Sequence, residues 1–346
     1  MVKNSEIKRV VRYLSFVLLL AALVFVVRYH KELNYAMGQL KGQLHIVNNT
    51  RDIKDCLNDP MFNADYKKKL NFIEVVKQFA EDSLGLKTTS NYTTLYDQDG
   101  KDILWNVTAS DKYALKAHKW QFPLVGSFSY KGFFDLEKAT TEYKAISEQG
   151  LDASVRPVSA WSTLGIFKDP ILSNMLYRAE GELAELIIHE MTHATLYVKN
   201  DVSFNENLAT YIGEKGALLF LSWYEEGQPV YSEEYREGKR NEAVWTSFVL
   251  GEAHRLDSIY NIVHSSRDSV KAVAKISFYS EFIDRANRER RKIGMADFSL
   301  DEASLNNTYF LSYLRYHTSQ DELDSLYNHK FQGDFSLMLD YFEERY

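Results

Sequence analysis

Apolar residues recur along this chain with two periods, and the period sorts the segments. Spacing of three and four predicts amphipathic helices around Glu32–Asn49, Asp65–Leu84, Leu136–Glu148, Ile171–Tyr197 and Ser203–Glu225, with several more between Glu233 and Tyr346. Shorter runs rich in Val, Trp, Phe and Ser, with local alternation, predict strands at Ile103–Thr108, Phe122–Tyr130 and Ala153–Leu164. Asp97–Asp102 reads as a turn, since its aspartates suit turn chemistry and lack the spacing of a calcium-binding loop. The balance predicts a mainly α-helical α+β fold in which a small sheet packs on a helix.

At the N-terminus the periodicity disappears. Lys3, Lys8, Arg9 and Arg12 precede an uninterrupted apolar run from Tyr13 to Val27, and Arg28, His30 and Lys31 follow it. The run is shorter than the usual span of about 20 residues, but flanking side chains that snorkel toward the headgroups lengthen it. Val24–Arg28 contains no small-x-small cleavage pattern, and the single cysteine, Cys56, lies far beyond any lipoprotein position. We therefore expect residues 1–30 to be an uncleaved membrane anchor and residues 31–346 to form one domain. The basic N-terminal flank places that domain across the membrane from the cytoplasm.

Composition narrows the picture further. One cysteine rules out an internal disulfide, so stability must come from the core, which a chain of this length can build. The formal net charge of -7 offers no basic footprint for nucleic acid. Five prolines and no periodic repeat argue against flexible linkers within the domain.

The apolar stretch Leu183–Leu196 carries the candidate chemistry. It contains His189-Glu190-Met191-Thr192-His193, the HExxH pattern of zinc-dependent peptide hydrolysis. Histidines four apart share one helical face, with Cβ atoms about 5–6 Å apart, so both imidazoles can reach one ion. Two unpaired histidines and a carboxylate in so apolar a helix would cost several kcal/mol without a partner, on the order given for buried polar groups. Glu190, one step round the helix, can reach a zinc-activated water without binding the metal.

A catalytic zinc needs a third protein ligand and leaves its fourth position open. Glu206 is the candidate. Lys199 occupies the place of a third histidine six residues after His193, and Leu196 stands where that pattern has glycine, so a glutamate ligand is expected. Ser203–Gly216 reads as a second helix ended by glycine, joined to the first by a short polar turn and so antiparallel to it. In that hairpin Glu206 and His193 come roughly level. The competing reading makes Ser203 and Glu206 a capping box that serves only the helix N-terminus.

The run from His189 to Ala209 resembles the bacterial putative (predicted) aminopeptidase family of HExxH proteins. Other stretches are similar to the same family: Tyr130–Asp135, Gly150–Asp152, Val158–Ser173, Leu305–Asn307, Tyr316 and Gly333–Asp334, with Gly38–Leu40 and Trp105–Val107 near the N-terminus. The resemblance implies a gluzincin-type zinc peptidase with a zincin-like fold. It implies one Zn²⁺ held by His189, His193 and Glu206, with Glu190 as general base. It also implies a peptide substrate and removal of N-terminal residues; in a bacterium the N-terminal anchor would be in the inner membrane, with the domain on the periplasmic side.

Such an enzyme requires further groups. Tyr316, with His317 beside it, is the first candidate to stabilise the oxyanion, and His254 the second. A free-amine-specific enzyme needs a carboxylate for the substrate ammonium; Glu180, Glu182, Glu185 and Asp201 are nearest in sequence, although each also suits a solvated surface charge. Val158–Leu164 could supply an edge strand for an extended substrate. The alternative class is a non-catalytic envelope protein with a structural metal site or a peptide-binding role. Glu190 discriminates between them, because a structural site needs no general base.

Overall fold

The computed structural model describes residues 2–122, 126–158, 168–226, 230–295 and 305–346. Contacts divide the chain into two units, Met1–Asn48 and Asn49–Tyr346. The first unit holds helices α1 (Val2–Arg28) and α2 (His30–Asn48). Within α1, Lys8–Arg28 has a hydropathy of 2.6 and none of that window is buried, so it is long and apolar enough to cross a membrane.

In the second unit the strands are short: β1 (Arg51–Asp52), β2 (Thr94–Tyr96), β3 (Trp105–Ser110), β4 (Trp120–Phe122), β5 (Gly126–Phe128), β6 (Tyr130–Phe133), β7 (Asp152–Pro157) and β8 (Ile171–Leu172). They form a β1-β2-β8 sheet, an antiparallel β6-β3-β7 sheet and a β4-β5 ribbon. Helices α3 (Ile53–Asn58), α4 (Ala64–Leu84), α5 (Leu136–Ser147), α6 (Glu180–Thr195) and α7 (Val202–Tyr224) interleave with them or follow. Next come α8 (Tyr231–Ile262), α9 (Asp268–Lys292), α10 (Asn307–His317), α11 (Gln320–Ser325) and α12 (Phe335–Arg345).

Local chemistry explains several boundaries. The Asn63 side chain accepts from the backbone of Asp65 and Tyr66 to start α4, and Gly85, at φ 70°, ends it in the left-handed region that disfavours a Cβ. Asp135 and Asp334 cap α5 and α12 in the same way.

Two cores follow from the apolar faces. In the first, Leu70, Ile73 and Val76 of α4 meet Leu183, Ile187 and Ile188 of α6 and Leu208, Ile212 and Phe220 of α7, and Leu95, Ile171 and Leu172 bring the small β1-β2-β8 sheet into the same core. In the second, Trp245, Val249 and Leu256 of α8 pack with Phe278 and Phe282 of α9 and Phe310 of α10. The antiparallel β6-β3-β7 sheet lies against α5 and α10 rather than α6.

Asn307 knots the second core to that sheet. Its Oδ1 accepts from the Tyr260 and Tyr279 hydroxyls at 2.8 Å each, its Nδ2 donates to the Asp111 carbonyl at 2.8 Å, and its backbone N–H donates to Asp152 at 3.0 Å. Asp152 also pairs with Lys275 of α9. Asp152 and Asn307 both belong to stretches that carry the family likeness, and here they hold the fold together.

Three expectations from the pattern are corrected. Ile171–Tyr197 is not one helix: Ile171 and Leu172 pair as a strand with Leu95 and Tyr96, a 3₁₀ turn spans Ser173–Tyr177, and α6 starts at Glu180. A short buried apolar run reads alike in either state, and only pairing decides it. Phe122–Tyr130 is not one strand but parts of β4, β5 and β6, with Gly126 at φ 113°. Gly216 does not end the second helix, which runs on to Tyr224. The second half of Ala153–Leu164 lies outside the described residues.

Candidate metal centre

Helix α6 points His189 and His193 the same way, as their spacing requires. Their Nε2 atoms are 3.2 Å apart and their rings meet edge-on at 84°. Glu206 of α7 completes a triangle, its Oε2 lying 3.5 Å from each Nε2. Among the described residues these three form the group able to hold a metal ion. For zinc–donor bonds of about 2.0–2.1 Å at tetrahedral angles, donor atoms stand roughly 3.3–3.4 Å apart. The observed edges fit that spacing, and two imidazoles and a carboxylate are a donor set zinc accepts.

Burial opposes a charge on Glu206, yet the hydrogen bonds and charges of the two imidazoles hold its carboxyl well below the usual range. Burial likewise opposes a charged His193, but Glu206 wins and carries that imidazole above its ordinary value. The His193 Nδ1 is buried and has no hydrogen-bond partner among the described residues. Glu190, 9% exposed, follows His189 on α6.

Three features place Glu206. First, α7 is capped by Asp201, whose carboxylate accepts from the Phe204 backbone at 3.0 Å, so the Ser203–Glu206 capping box does not form. Second, its neighbours are buried anchors: Asn205 exchanges two 2.8 Å bonds with Val198 in the turn, while Asn207 donates to the Arg315 carbonyl at 2.7 Å and accepts from the Ser319 backbone at 3.0 Å. Third, α6 and α7 approach closely at glycines. A Cβ on Gly213 would stand 3.1 Å from the Glu185 carbonyl oxygen and 3.2 Å from the His189 Cβ, and one on Gly216 would meet Leu84 and Ile188 at 2.8 and 3.1 Å.

Gly213→Ala should therefore act on the centre more than on the fold. The added methyl pushes His189 away from Glu206 by a few tenths of an ångström. Alanine in a helix interior meanwhile gains about 0.5–1 kcal/mol over glycine, which offsets the crowding. We expect little change in Tm and weaker zinc binding by competition with a chelator; unchanged zinc affinity would show that the close crossing does not set the triangle.

The other candidates separate clearly. Burial raises the Tyr316 hydroxyl well above the usual tyrosine value; the charges of Glu206 and Glu190 raise it further and Arg315 opposes them. His317 is held below the ordinary imidazole value by burial, which leaves it neutral. His254 lies on an exposed face of α8. Of the carboxylates considered for a substrate amine, Glu180 pairs with Lys69 at 2.9 Å and Asp201 caps α7. Glu185 is held by Lys239 at 2.9 Å and the Tyr235 hydroxyl at 2.7 Å, and Glu182 is exposed. Residues 159–167, most of the expected substrate-pairing strand, lie outside the described residues.

Tyr130 and Tyr197 escape the sequence reading. Burial raises both phenols, and the Glu206 charge adds to each. Tyr130 also feels Tyr316 and the Arg315 charge, and the Arg315 guanidinium sits 6.0 Å over its ring. Tyr130 opens one of the family-like stretches, the only signal that could have drawn attention to it.

A family model described as "Putative aminopeptidase" matches residues 34–344. No curated protein and no solved structure matches the chain.

Proposed function

Because the chain belongs to the putative aminopeptidase family, we propose that it is a zinc-dependent peptidase with a zincin-like catalytic domain, held to a bacterial inner membrane by its N-terminal helix. The observation that carries the zinc assignment is the triangle of His189, His193 and Glu206, whose edges of 3.2, 3.5 and 3.5 Å suit one tetrahedral ion.

Zinc held there supplies a Lewis acid for the scissile carbonyl and acidifies a water to a pKa of about 7. Glu190 would accept the proton of the water that adds to the carbonyl carbon and return it to the amine nitrogen as the C–N bond breaks. The Tyr316 hydroxyl, protonated at neutral pH, donates to the oxygen on which charge develops. Tyr130, close to the same carboxylate, is a second donor. The buried, hydrogen-bonded asparagines on either side of Glu206 keep the ligand carboxylate from turning away.

Chelation should abolish hydrolysis of short peptides, and one equivalent of zinc should restore it. A metal-free protein that hydrolyses them equally well sinks the assignment. The apolar helix predicts a second result: the full-length chain fractionates with membranes, and protease added outside the cytoplasm degrades its main domain. Recovery of a soluble exported form beginning near residue 30 would show a cleaved signal instead.

A further inference from the structure

A cavity of about 220 Å³ is lined in part by the first turn of α7, the helix that carries Glu206. One wall is the start of α7, where Val202 and Ser203 stand one turn before Glu206. Lys119 and Ser127 of the β4-β5 ribbon region and Arg315 of α10 also line it. Arg315 precedes Tyr316 in the chain, its carbonyl accepts from Asn207, the neighbour of Glu206, at 2.7 Å, and its guanidinium lies 6.0 Å over the Tyr130 ring, which ties the cavity to the candidate centre.

Charge distinguishes this cavity. Among the described residues no salt bridge joins half-buried Arg315 or exposed Lys119 to a carboxylate, whereas half-buried Lys239 is shared by Glu185, Glu214 and Glu242. The one acidic residue in the lining, Asp201, is committed to the α7 cap. Arg315 contacts the Ser129 carbonyl at 3.5 Å and the Tyr130 ring, which orients the guanidinium without neutralising it. A planar fork in such a setting matches a carboxylate with two parallel hydrogen bonds.

We propose that this cavity receives the terminal α-carboxylate of the substrate, so that the enzyme acts on di- and tripeptides. The inference rests on the peptidase reading above and names its substrate class. Ser203 lies about 4.5 Å along the α7 axis from Glu206. A chain end one or two residues past the scissile carbonyl lies about 3.5 or 7 Å away. The cavity is also smaller than the roughly 300–1,000 Å³ of a site for a drug-sized ligand, which suits a chain end rather than a long peptide. Recognition of the carboxylate would select short peptides even though Glu180, Glu185 and Asp201 are already engaged by Lys69, Lys239 and the α7 cap.

The test compares leucyl-glycine with leucyl-glycine amide on the full-length, zinc-loaded chain in detergent micelles. The free acid should be preferred at least tenfold in kcat/KM, mainly through KM, and Arg315→Gln should bring the ratio toward one. Arg315→Lys should retain part of the preference, because charge survives without the fork. The ratio cancels any general loss of activity. Should Arg315→Gln not fold, Lys119→Gln, at an exposed position, should lower the same ratio. Calorimetric binding of both peptides to the Glu190→Gln protein decides the cavity without turnover. Wild type that cleaves acid and amide equally, or a preference untouched by both substitutions, overturns the carboxylate site and leaves the peptidase standing. Tighter binding of the acid with no cleavage of either peptide supports the cavity and overturns the peptidase instead.

Discussion

Glu190→Gln should keep the fold and one zinc per chain while lowering peptide hydrolysis by about 10²–10⁴-fold, the range of general acid–base contributions. The amide preserves volume and can still hydrogen-bond, but it no longer accepts the proton of the attacking water. Glu190 is buried and lies outside the triangle of donor atoms, so its replacement leaves the ligand set untouched. The measurements are zinc stoichiometry, thermal unfolding and kcat/KM on a short peptide. Equal turnover by the substituted protein would remove Glu190 from the reaction. A wild type that binds zinc and cleaves nothing would favour the structural-site alternative.

Glu206→Ala should weaken zinc binding by at least about 100-fold, beyond the 10–100-fold typical of losing an outer-shell partner. The capping alternative makes a different forecast: loss of a cap costs about 1 kcal/mol of stability and leaves zinc bound. With Asp201 already supplying the cap, Glu206→Ala should remove no capping energy. Removing the carboxylate also strips the two half-buried imidazoles of the oxygen that lies 3.5 Å from each Nε2, so the metal-free protein should lose stability as well. Competition titration with a chromophoric chelator separates the two readings, and retained affinity would exclude Glu206 as a ligand.

Several elements were legible before any tertiary contact was known. Helix α4 lies one residue from its expected start because Asn63 and Gly85 are strong local start and stop signals. The membrane-length helix announces itself by an apolar run with no polar face. The meeting of His189 and His193 needs only the rise and turn of one helix. Boundaries failed where a buried segment could satisfy its backbone in more than one way. Ile171 and Leu172 are apolar enough for a helix interior, and pairing with β2 made them a strand.

The sequence by itself determined what depends on neighbours within a turn or two: the two histidines, the position of Glu190, and the apolar N-terminal helix. Tertiary structure alone decided the rest. Glu206 faces the histidines because Asp201 takes over the cap and Gly213 lets two helices approach. The same packing consumes Glu185 in a half-buried pair with Lys239, brings Arg315 and Lys119 to one cavity from distant parts of the chain, and sets Arg315 over the Tyr130 ring. Periodicity records which face of an element is apolar, but carries no information about which distant face it meets, and it is that meeting which sets the charge and shape of a binding site.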